Sequence, residues 1–253
     1  MMTTIPCKLF LLGGYDLEML TIKQLLDGKE GCVVLDRYLN WSNAKVSAYQ
    51  EEMKRYADCE TYGIELQEDV PTHPHYHRID HHNEWAGKPS ALEQVAVLLG
   101  VELNRFQQLV AANDKGYIPA MKDLRATDEE IADIRKRDRM AQGVSDEDEQ
   151  KAMEAITENL SRYGDLLVVK SETSRFAPIC DRLFPYEKLL VYTDSEWMFY
   201  GEGKSKLLKL FEKEMKNKRI FHGGGDNGYV GAVKHAFNED EINQFVNLII
   251  TEI

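Results

Sequence analysis

An Asp-His-His triplet carries the strongest chemical signal in this chain. Asp80, His81 and His82 directly follow the segment Tyr76–Ile79, and five of the seven histidines lie between residues 73 and 82. A carboxylate beside neutral imidazoles is a ligand set that suits Mn²⁺, Mg²⁺ or Zn²⁺ better than Ca²⁺. The triplet therefore predicts a divalent-metal site; the alternative is a histidine-rich loop that ends in a solvated turn.

Carboxylates at three other places extend this pattern. Asp16 and Glu18 lie two residues apart after a pair of glycines, Glu65 lies late in a short apolar segment, and Asp114 lies at a helix end. Ligands of parallel sheets bind beyond the carboxyl ends of the strands, so these groups are expected to meet the triplet there. Together they could hold one or two cations, which polarise a phosphate and activate water. Taken singly, each carboxylate is better explained as a helix cap or a surface charge.

The elements that must position these residues alternate in type through the first half of the chain. Ser90 followed by Glu93 is a capping box, which marks the start of a helix. Strands that alternate with helices indicate a mostly parallel sheet. Hydrophobic spacing predicts strands at 8–12, 32–35, 61–66 and 76–79, and helices at 17–26, 42–57 and from Ser90 onward.

The second half has a different pattern. Residues 126–163 are highly charged and have no strand pattern, which indicates helices with a break near Gly143. Beyond them, a strand at 166–170, a hairpin over 189–200 and a final helix over 239–250 are predicted. We therefore expect an α/β protein with three parts: a parallel-sheet domain with helices on both faces (1–125), a helical connector (126–164) and a smaller mixed α/β domain (165–253).

Composition limits the functions that the chain could have. Its 253 residues are 43% hydrophobic and carry a formal net charge of −12, which argues against binding long nucleic acid through phosphate neutralisation. No apolar run is long enough to span a membrane, and the N-terminus lacks the basic region of a signal peptide. Four widely spaced cysteines are predicted to be free thiols in a reducing, cytoplasmic environment. They are Cys7, Cys32, Cys59 and Cys180.

Three further features can each be interpreted as purely structural or as functional. His222 precedes three glycines, Gly223, Gly224 and Gly225, whose backbone N–H groups could approach an anion or simply form a tight turn. The lysine-rich segment 204–219 is better explained as a solvated helix face than as a patch that attracts phosphate. The tryptophans share no spacing and are predicted to pack in the core or between domains. They are Trp41, Trp85 and Trp197.

These motifs together resemble the DHH phosphoesterase superfamily over nearly the full length of the chain. Members of that family have an acidic turn, a third-strand acid, the DHH triplet and a later Asp, followed by a C-terminal domain with a glycine-rich substrate loop. The resemblance implies metal ligation by Asp16, Glu18, Glu65, His81 and Asp114, roles in catalysis for Asp80 and His82, and substrate contacts from His222, Gly223, Gly224, Gly225 and Asn227. Asp36, at the end of the second strand, is the alternative to Glu65.

The activity implied by this resemblance is metal-dependent hydrolysis of a phosphodiester or phosphoanhydride. The cofactor would be Mn²⁺ or Mg²⁺, as one or two ions, in a cleft between the two domains. The substrate would be small, such as a short oligonucleotide, a nucleotide or a polyphosphate. No membrane partner is expected, and homodimer formation is left open.

Two departures from the family pattern favour an alternative function. Leu12 occupies the position where the family turn usually has a histidine, and Asp226 follows the glycines where another histidine is expected. Glu18 is also one methylene longer than the usual aspartate. Loss of a nitrogen ligand should weaken one metal position. The alternative is therefore a catalytically weak or inactive module that binds a phosphorylated ligand.

Overall fold

A computed structural model of the protein describes residues 7–253. Residues 1–6, which bear on the predicted lack of a signal peptide, lie outside the described residues. The chain divides into two units, the first ending at Gly143 and the second spanning Val144–Ile253. This boundary lies inside the stretch predicted to be a helical connector. No helix in the described part of the chain is long and apolar enough to cross a bilayer.

The first unit is built on a parallel sheet, as predicted. Within residues 7–143 four strands pair in the order β2-β1-β3-β4. They are β1 (Lys8–Leu12), β2 (Cys32–Asp36), β3 (Glu60–Ile64) and β4 (Tyr76–Ile79), and the helices are α1 (Leu17–Leu26), α2 (Gln50–Arg55), α3 (Ala91–Leu99), α4 (Arg105–Asp123) and α5 (Asp128–Ala141).

Local sequence explains most of these boundaries. Asp16 caps α1 by accepting a hydrogen bond from the Met19 N–H, and Ser90 and Glu93 form the predicted capping box of α3. The helix predicted from Ser42 begins later, as a 3-10 helix at Val46–Tyr49 that leads into α2. The Ser42 hydroxyl instead bonds the side chain of Asn40 in a local turn, which competes with helix initiation.

The second unit has a mixed sheet, in agreement with the predicted fold class. Its strands pair in the order β5-β6-β7-β8-β10-β9, with β6 and β7 parallel and β7 and β8 forming the predicted antiparallel hairpin. The strands are β5 (Ser161–Tyr163), β6 (Leu166–Lys170), β7 (Lys188–Tyr192), β8 (Trp197–Gly201), β9 (Ile220–Gly223) and β10 (Tyr229–Ala232), and the helices are α6 (Asp146–Asn159), α7 (Ala177–Leu183), α8 (Lys204–Leu210), α9 (Glu212–Lys216) and α10 (Glu239–Glu252).

Helices α5 and α6 fill most of the predicted connector, and each packs within its own unit. Ile131 and Ile134 of α5 are buried in the first unit, whereas Ala152 and Ala155 of α6 pack against Val169 of β6 in the second. The break predicted near Gly143 separates the two helices.

The prediction of four free thiols is wrong for one pair of cysteines. Cys7, directly before β1, forms a disulfide with Cys59, directly before β3. Because β1 and β3 are neighbouring parallel strands, residues at their matching ends lie side by side, and the two Cα atoms are 4.8 Å apart. Cys32 and Cys180 are not disulfide-bonded.

Candidate metal centre

The predicted acidic and histidine residues converge beyond the carboxyl edge of the first sheet. One potential ligand atom from each of four residues lies within 4.8 Å of the other three: Glu65, His81, His82 and Asp114. The His81 Nε2 atom is 2.5 Å from Asp114 Oδ2 and 3.1 Å from Glu65 Oε1. Glu18 is adjacent, with its Oε2 atom 3.9 Å from the same nitrogen. Residues that span almost one hundred positions therefore form one cluster.

Strand register explains why Glu65 and the triplet meet. Ile64 of β3 pairs with Ile79 of β4, so Glu65 and Asp80 leave neighbouring strands at the same edge. Glu65 has a φ of +51°, in the left-handed region that costs a non-glycine residue about 1 kcal/mol. Gly13 lies against this turn, where a Cβ atom would come within 2.6 Å of the Glu65 carbonyl oxygen. Backbone strain at such a position is typical of functional sites.

Several polar atoms in the cluster are buried and contact only one another. Apart from the close contacts of His81 Nε2 with Asp114 Oδ2 and Glu65 Oε1, no hydrogen-bond partner among the described residues is available to these side-chain atoms: Glu18 Oε2, Glu65 Oε1, Glu65 Oε2, His81 Nε2 and Asp114 Oδ2. Buried polar groups are normally satisfied, because leaving one unpaired costs about 1–3 kcal/mol. Carboxylate oxygens and an imidazole nitrogen that lie this close together are a donor set that suits a divalent cation such as Mn²⁺. These residues therefore fit the predicted metal.

The pKa values of the clustered carboxyl groups and of His81 are raised, which indicates an excess of negative charge that a cation would neutralise. Burial, and then the nearby Asp114 carboxylate, raise the pKa of Asp16 to about 8 and hold the pKa of Glu18 well above its usual value. Burial likewise raises the pKa of Glu65, although contact with His81 opposes the rise. Burial alone would lower the pKa of His81, but Asp114 and Glu65 raise it to about 10. A bound cation would replace the protons that these shifts retain.

Asp80 and His82 form a separate arrangement at the rim of the cluster. His82 donates its backbone N–H to Asp80 Oδ1 at 2.8 Å, and its Nδ1 atom lies 3.2 Å from the same oxygen. Arg78 binds the other carboxylate oxygen through Nε at 3.0 Å. Burial would raise the pKa of Asp80, but these bonds from His82 and Arg78 hold it below its usual range. Asp80 therefore fixes the orientation of the His82 ring, which is half exposed and lies 3.8 Å from Glu65 Oε1.

The structure places Asp36, the alternative to Glu65, away from the cluster. Asp36 ends β2 at the edge of the sheet, where it pairs with Lys23 at 3.0 Å and accepts the Tyr38 N–H at 2.8 Å. Leu12, at the end of β1, is only 1% exposed. Its carbonyl accepts a hydrogen bond from the Tyr49 hydroxyl at 2.6 Å. Leu12 is thus a core residue.

Comparison with known proteins identifies the fold. No protein-family model and no curated protein sequence matches the chain. A solved DHH domain, described as coming from a member of a family of ribosomal proteins, matches with a TM-score of 0.53 at 10% identity, covering 97% of this chain and 87% of its own. The chain has the DHH-domain fold.

Two other solved structures match with a TM-score of 0.44 and 10% identity. One is a pGpG-specific phosphodiesterase from Vibrio cholerae, with 97% of this chain and 98% of that chain covered. The other is the exonuclease RecJ bound to manganese, with 97% and 90% covered. The match with a TM-score of 0.53 confirms, at the level of the fold, the resemblance to DHH proteins inferred from the motifs.

Asp138 of α5 supports the candidate metal centre, and sequence reasoning missed it. This buried carboxylate accepts hydrogen bonds from the Leu17 N–H at 3.3 Å, the Asn113 side chain at 3.3 Å and Arg135 at 2.7 Å. Leu17 follows Asp16 and Asn113 precedes Asp114, so Asp138 ties together two segments that carry acidic groups of the site. A lone acidic residue in a charged helix gives no local signal of this role.

A buried lysine, which the sequence did not indicate, holds the glycine loop of the second unit through hydrogen bonds. The Lys204 ammonium, in a residue only 7% exposed, donates to the carbonyl oxygens of Gly223 and Gly225 at 2.6 Å each and of Gly224 at 3.4 Å. The sequence predicted that Lys204 belongs to a solvated helix face, and this prediction is wrong for Lys204 because its side chain is buried. His222, Asp226 and Asn227 are exposed. Substrate contacts from this loop stay a prediction.

We predict that the metal-free protein becomes less stable as pH rises and that Mn²⁺ reverses this loss. Asp16 in the folded state keeps a proton up to about pH 8, whereas the unfolded chain releases it near pH 4. His81 likewise keeps its proton up to about pH 10 rather than 6.5. Between about pH 4 and pH 10 the native state therefore binds more protons at these two groups than the unfolded chain does. The free energy of unfolding consequently falls as pH rises through this range.

Thermal melts with EDTA and with Mn²⁺ at pH 5.5 and pH 8.5 would measure this effect. The Mn²⁺-induced rise in Tm should be larger at pH 8.5, because fewer protons compete for the carboxylates and His81. An equal rise at both pH values would contradict the assignment of these groups as metal ligands.

Proposed function

We propose that the protein is a metal-dependent phosphoesterase that hydrolyses a phosphodiester or phosphoanhydride in a small substrate. The observation that carries this proposal is the convergence of buried, unsatisfied ligand atoms from Glu18, Glu65, His81 and Asp114 in a DHH fold. Three carboxylates surround the single Nε2 atom of His81, which is more negative charge than one imidazolium can neutralise.

The metal would be Mn²⁺ or Mg²⁺ held by Glu65, His81 and Asp114, with Glu18 and Asp16 as further carboxylates. The imidazole in this set favours Mn²⁺. When bound, the cation supplies positive charge for the phosphoryl oxygens and lowers the pKa of water. Asp16, as the cap of α1, has one oxygen engaged by the Met19 N–H at 2.9 Å, so it is suited to a secondary role in metal binding.

His82 would contact the substrate directly. Its ring is half exposed while the carboxylate that orients it is buried, so one nitrogen is fixed by Asp80 and the other can donate to a phosphoryl oxygen. Fixed donors aimed at developing negative charge are a large term in catalysis. Asp80 acts through His82, and Arg78 in turn holds Asp80 in place.

The substrate is proposed to be small because the chain carries a net charge of −12, which repels long polyanions. The three glycines after His222, in the second unit, are proposed to bind a phosphate through their backbone, with Gly224 and Gly225 at φ values of +61° and +41°. Asn227 would contribute a side-chain amide.

A second candidate function is a module that binds a phosphorylated ligand without turning it over. The observation in its favour is Leu12, a buried apolar side chain at the position where DHH proteins usually carry a histidine. One fewer nitrogen ligand would lower the affinity for a second metal ion.

A Mn²⁺-supplemented hydrolysis screen decides between these functions. The panel contains bis-p-nitrophenyl phosphate, 5′-phosphorylated diadenylate, a cyclic dinucleotide, pyrophosphate and polyphosphate, each also assayed with EDTA and with Asp114→Asn. We expect Mn²⁺-dependent turnover of at least one substrate, with both controls inactive. Calorimetric binding of a panel member without any turnover would instead favour the binding module.

A further inference from the structure

Three large aromatic side chains are exposed on the first unit. Tyr15 is 39% exposed, Tyr38 is 61% exposed and Trp41 is 48% exposed. Tyr15 follows β1, while Tyr38 and Trp41 lie in the loop after β2, so all three come from the carboxyl ends of strands. We call these three residues the aromatic wall. The prediction that Trp41 packs in the core or between domains is wrong as regards the core, whereas Trp197 is fully buried.

The aromatic wall is held in place although it is exposed. The Trp41 ring lies over Gly14, where any Cβ atom would overlap the indole. Tyr38 adopts a φ of +52° and its hydroxyl accepts a hydrogen bond from Lys23 at 3.0 Å. The Lys23 ammonium also lies 4.8 Å from the Tyr38 ring centroid, and Tyr15 packs edge-on against Tyr38 at 5.9 Å. Fixed, solvent-facing aromatic rings lose little entropy when a ligand binds.

Trp41, one of the three residues of the aromatic wall, lies beside the proposed metal centre. The ring centroid of Trp41 is 6.1 Å from that of His82, and the two planes are tilted by 59°. The ring of His82 in turn lies 4.3 Å from that of His81. A group attached to a phosphate at His82 would therefore be within reach of the Trp41 indole.

We propose that Trp41 stacks on a nucleobase and that the substrates are consequently nucleotides or short oligonucleotides, rather than pyrophosphate or polyphosphate. This inference rests on the proposed function, because it uses the same metal centre for the phosphate. Stacking on an aromatic ring accepts any base, since every base has a π-face. A protein with net charge −12 also gains affinity from stacking that it cannot gain from phosphate contacts alone.

The test compares two probes that differ only in their bases. One is 5′-phosphorylated diadenylate and the other is its abasic analogue with the same phosphodiester. We expect Trp41→Leu to raise the KM for diadenylate by about 5- to 150-fold, the range for losing one stacked base. The preference of the wild type for diadenylate over the abasic analogue should fall by the same factor. Trp41→Phe, which keeps an aromatic ring, should restore most of that preference.

Tyr163→Ala serves as the control, because this tyrosine is 50% exposed on β5 of the second unit. It should leave the KM values of both probes unchanged. The proposal is overturned if the wild type hydrolyses both probes equally well, or if Trp41→Leu keeps the preference for diadenylate.

Calorimetry separates this proposal from the proposed function. If pyrophosphate or polyphosphate is hydrolysed and neither probe is, the nucleotide inference fails while the phosphoesterase assignment stands. If no member of the panel is hydrolysed, the phosphoesterase assignment fails, but binding of diadenylate with Mn²⁺ can still be measured. Weaker diadenylate binding by Trp41→Leu, with the abasic analogue bound equally by both proteins, supports stacking. Equal diadenylate binding by both proteins overturns it.

Discussion

Replacing His81 with alanine is expected to abolish Mn²⁺-dependent activity and to weaken Mn²⁺ binding by more than about 100-fold. Loss of a residue that merely supports a metal ligand already costs about 10- to 100-fold in affinity or activity, and His81 would be a ligand itself. Its Nε2 atom lies within 4 Å of carboxylate oxygens of Asp114, Glu65 and Glu18. Isothermal titration with Mn²⁺ and initial rates on the substrate found in the screen would measure both effects.

His77→Ala is the matched control for this experiment. His77 lies on β4, the strand that leads to the triplet, but it is half exposed and its imidazole pairs with Glu60 on the surface. This variant should keep both Mn²⁺ affinity and activity. Circular dichroism should show that His81→Ala stays folded, since the contacts of His81 are ionisable groups rather than apolar core. Normal Mn²⁺ binding by His81→Ala would show that the cluster is not a metal centre.

Gly13→Ala is expected to destabilise the protein by about 1–3 kcal/mol and to weaken Mn²⁺ binding at the same time. The added Cβ atom would lie 2.6 Å from the Glu65 carbonyl oxygen, and backbone cannot move aside as a flexible side chain can. The Glu65 turn must therefore shift, and the turn carries a proposed metal ligand. Urea denaturation would measure the stability, and Mn²⁺ titration would measure the affinity.

Gly87→Ala gives the comparison for that variant. No heavy atom among the described residues lies within 4 Å of a Cβ atom built at Gly87. This substitution should change the free energy of unfolding by less than about 0.5 kcal/mol and leave Mn²⁺ binding intact. If Gly13→Ala lost stability while binding Mn²⁺ normally, Gly13 would serve packing alone and not the position of Glu65.

The local sequence determined the elements that carry the site. The bounds predicted for β1, α1, β4 and β6 match those of the structure, because each is a short hydrophobic pattern ended by glycine, a cap or a charged residue. Alternation of strands and helices correctly indicated a parallel sheet in the first unit. Residues that follow parallel strands meet at one edge of the sheet, which is why the sequence sufficed to group the triplet with Glu65. Asp114 lies on helix α4, and its grouping with them came from the resemblance to DHH proteins.

Strand order decided whether Glu65 or Asp36 lies beside the triplet, which the sequence left open. Glu65 and Asp36 both follow apolar segments, and their local patterns do not distinguish them. In the order β2-β1-β3-β4, β3 is the direct neighbour of β4, whereas β2 lies at the far edge. Glu65 therefore meets His81 at 3.1 Å, and Asp36 instead pairs with Lys23.

Contacts between distant segments account for the features that sequence reasoning missed or misjudged. The Cys7–Cys59 disulfide depends on the pairing of β1 with β3, and the buried position of Lys204 depends on the fold of the glycine loop. Likewise, Asp138 can bond to Leu17 and Asn113 only when α5 packs beside α1 and α4. The position of the Trp41 ring depends on its packing against Gly14. Such partners lie up to 121 residues apart, so their side chains carry no periodic signal. The sequence pattern indicates which residues of a segment must be buried or hydrogen-bonded. Tertiary packing decides which distant segment supplies the contacting residues.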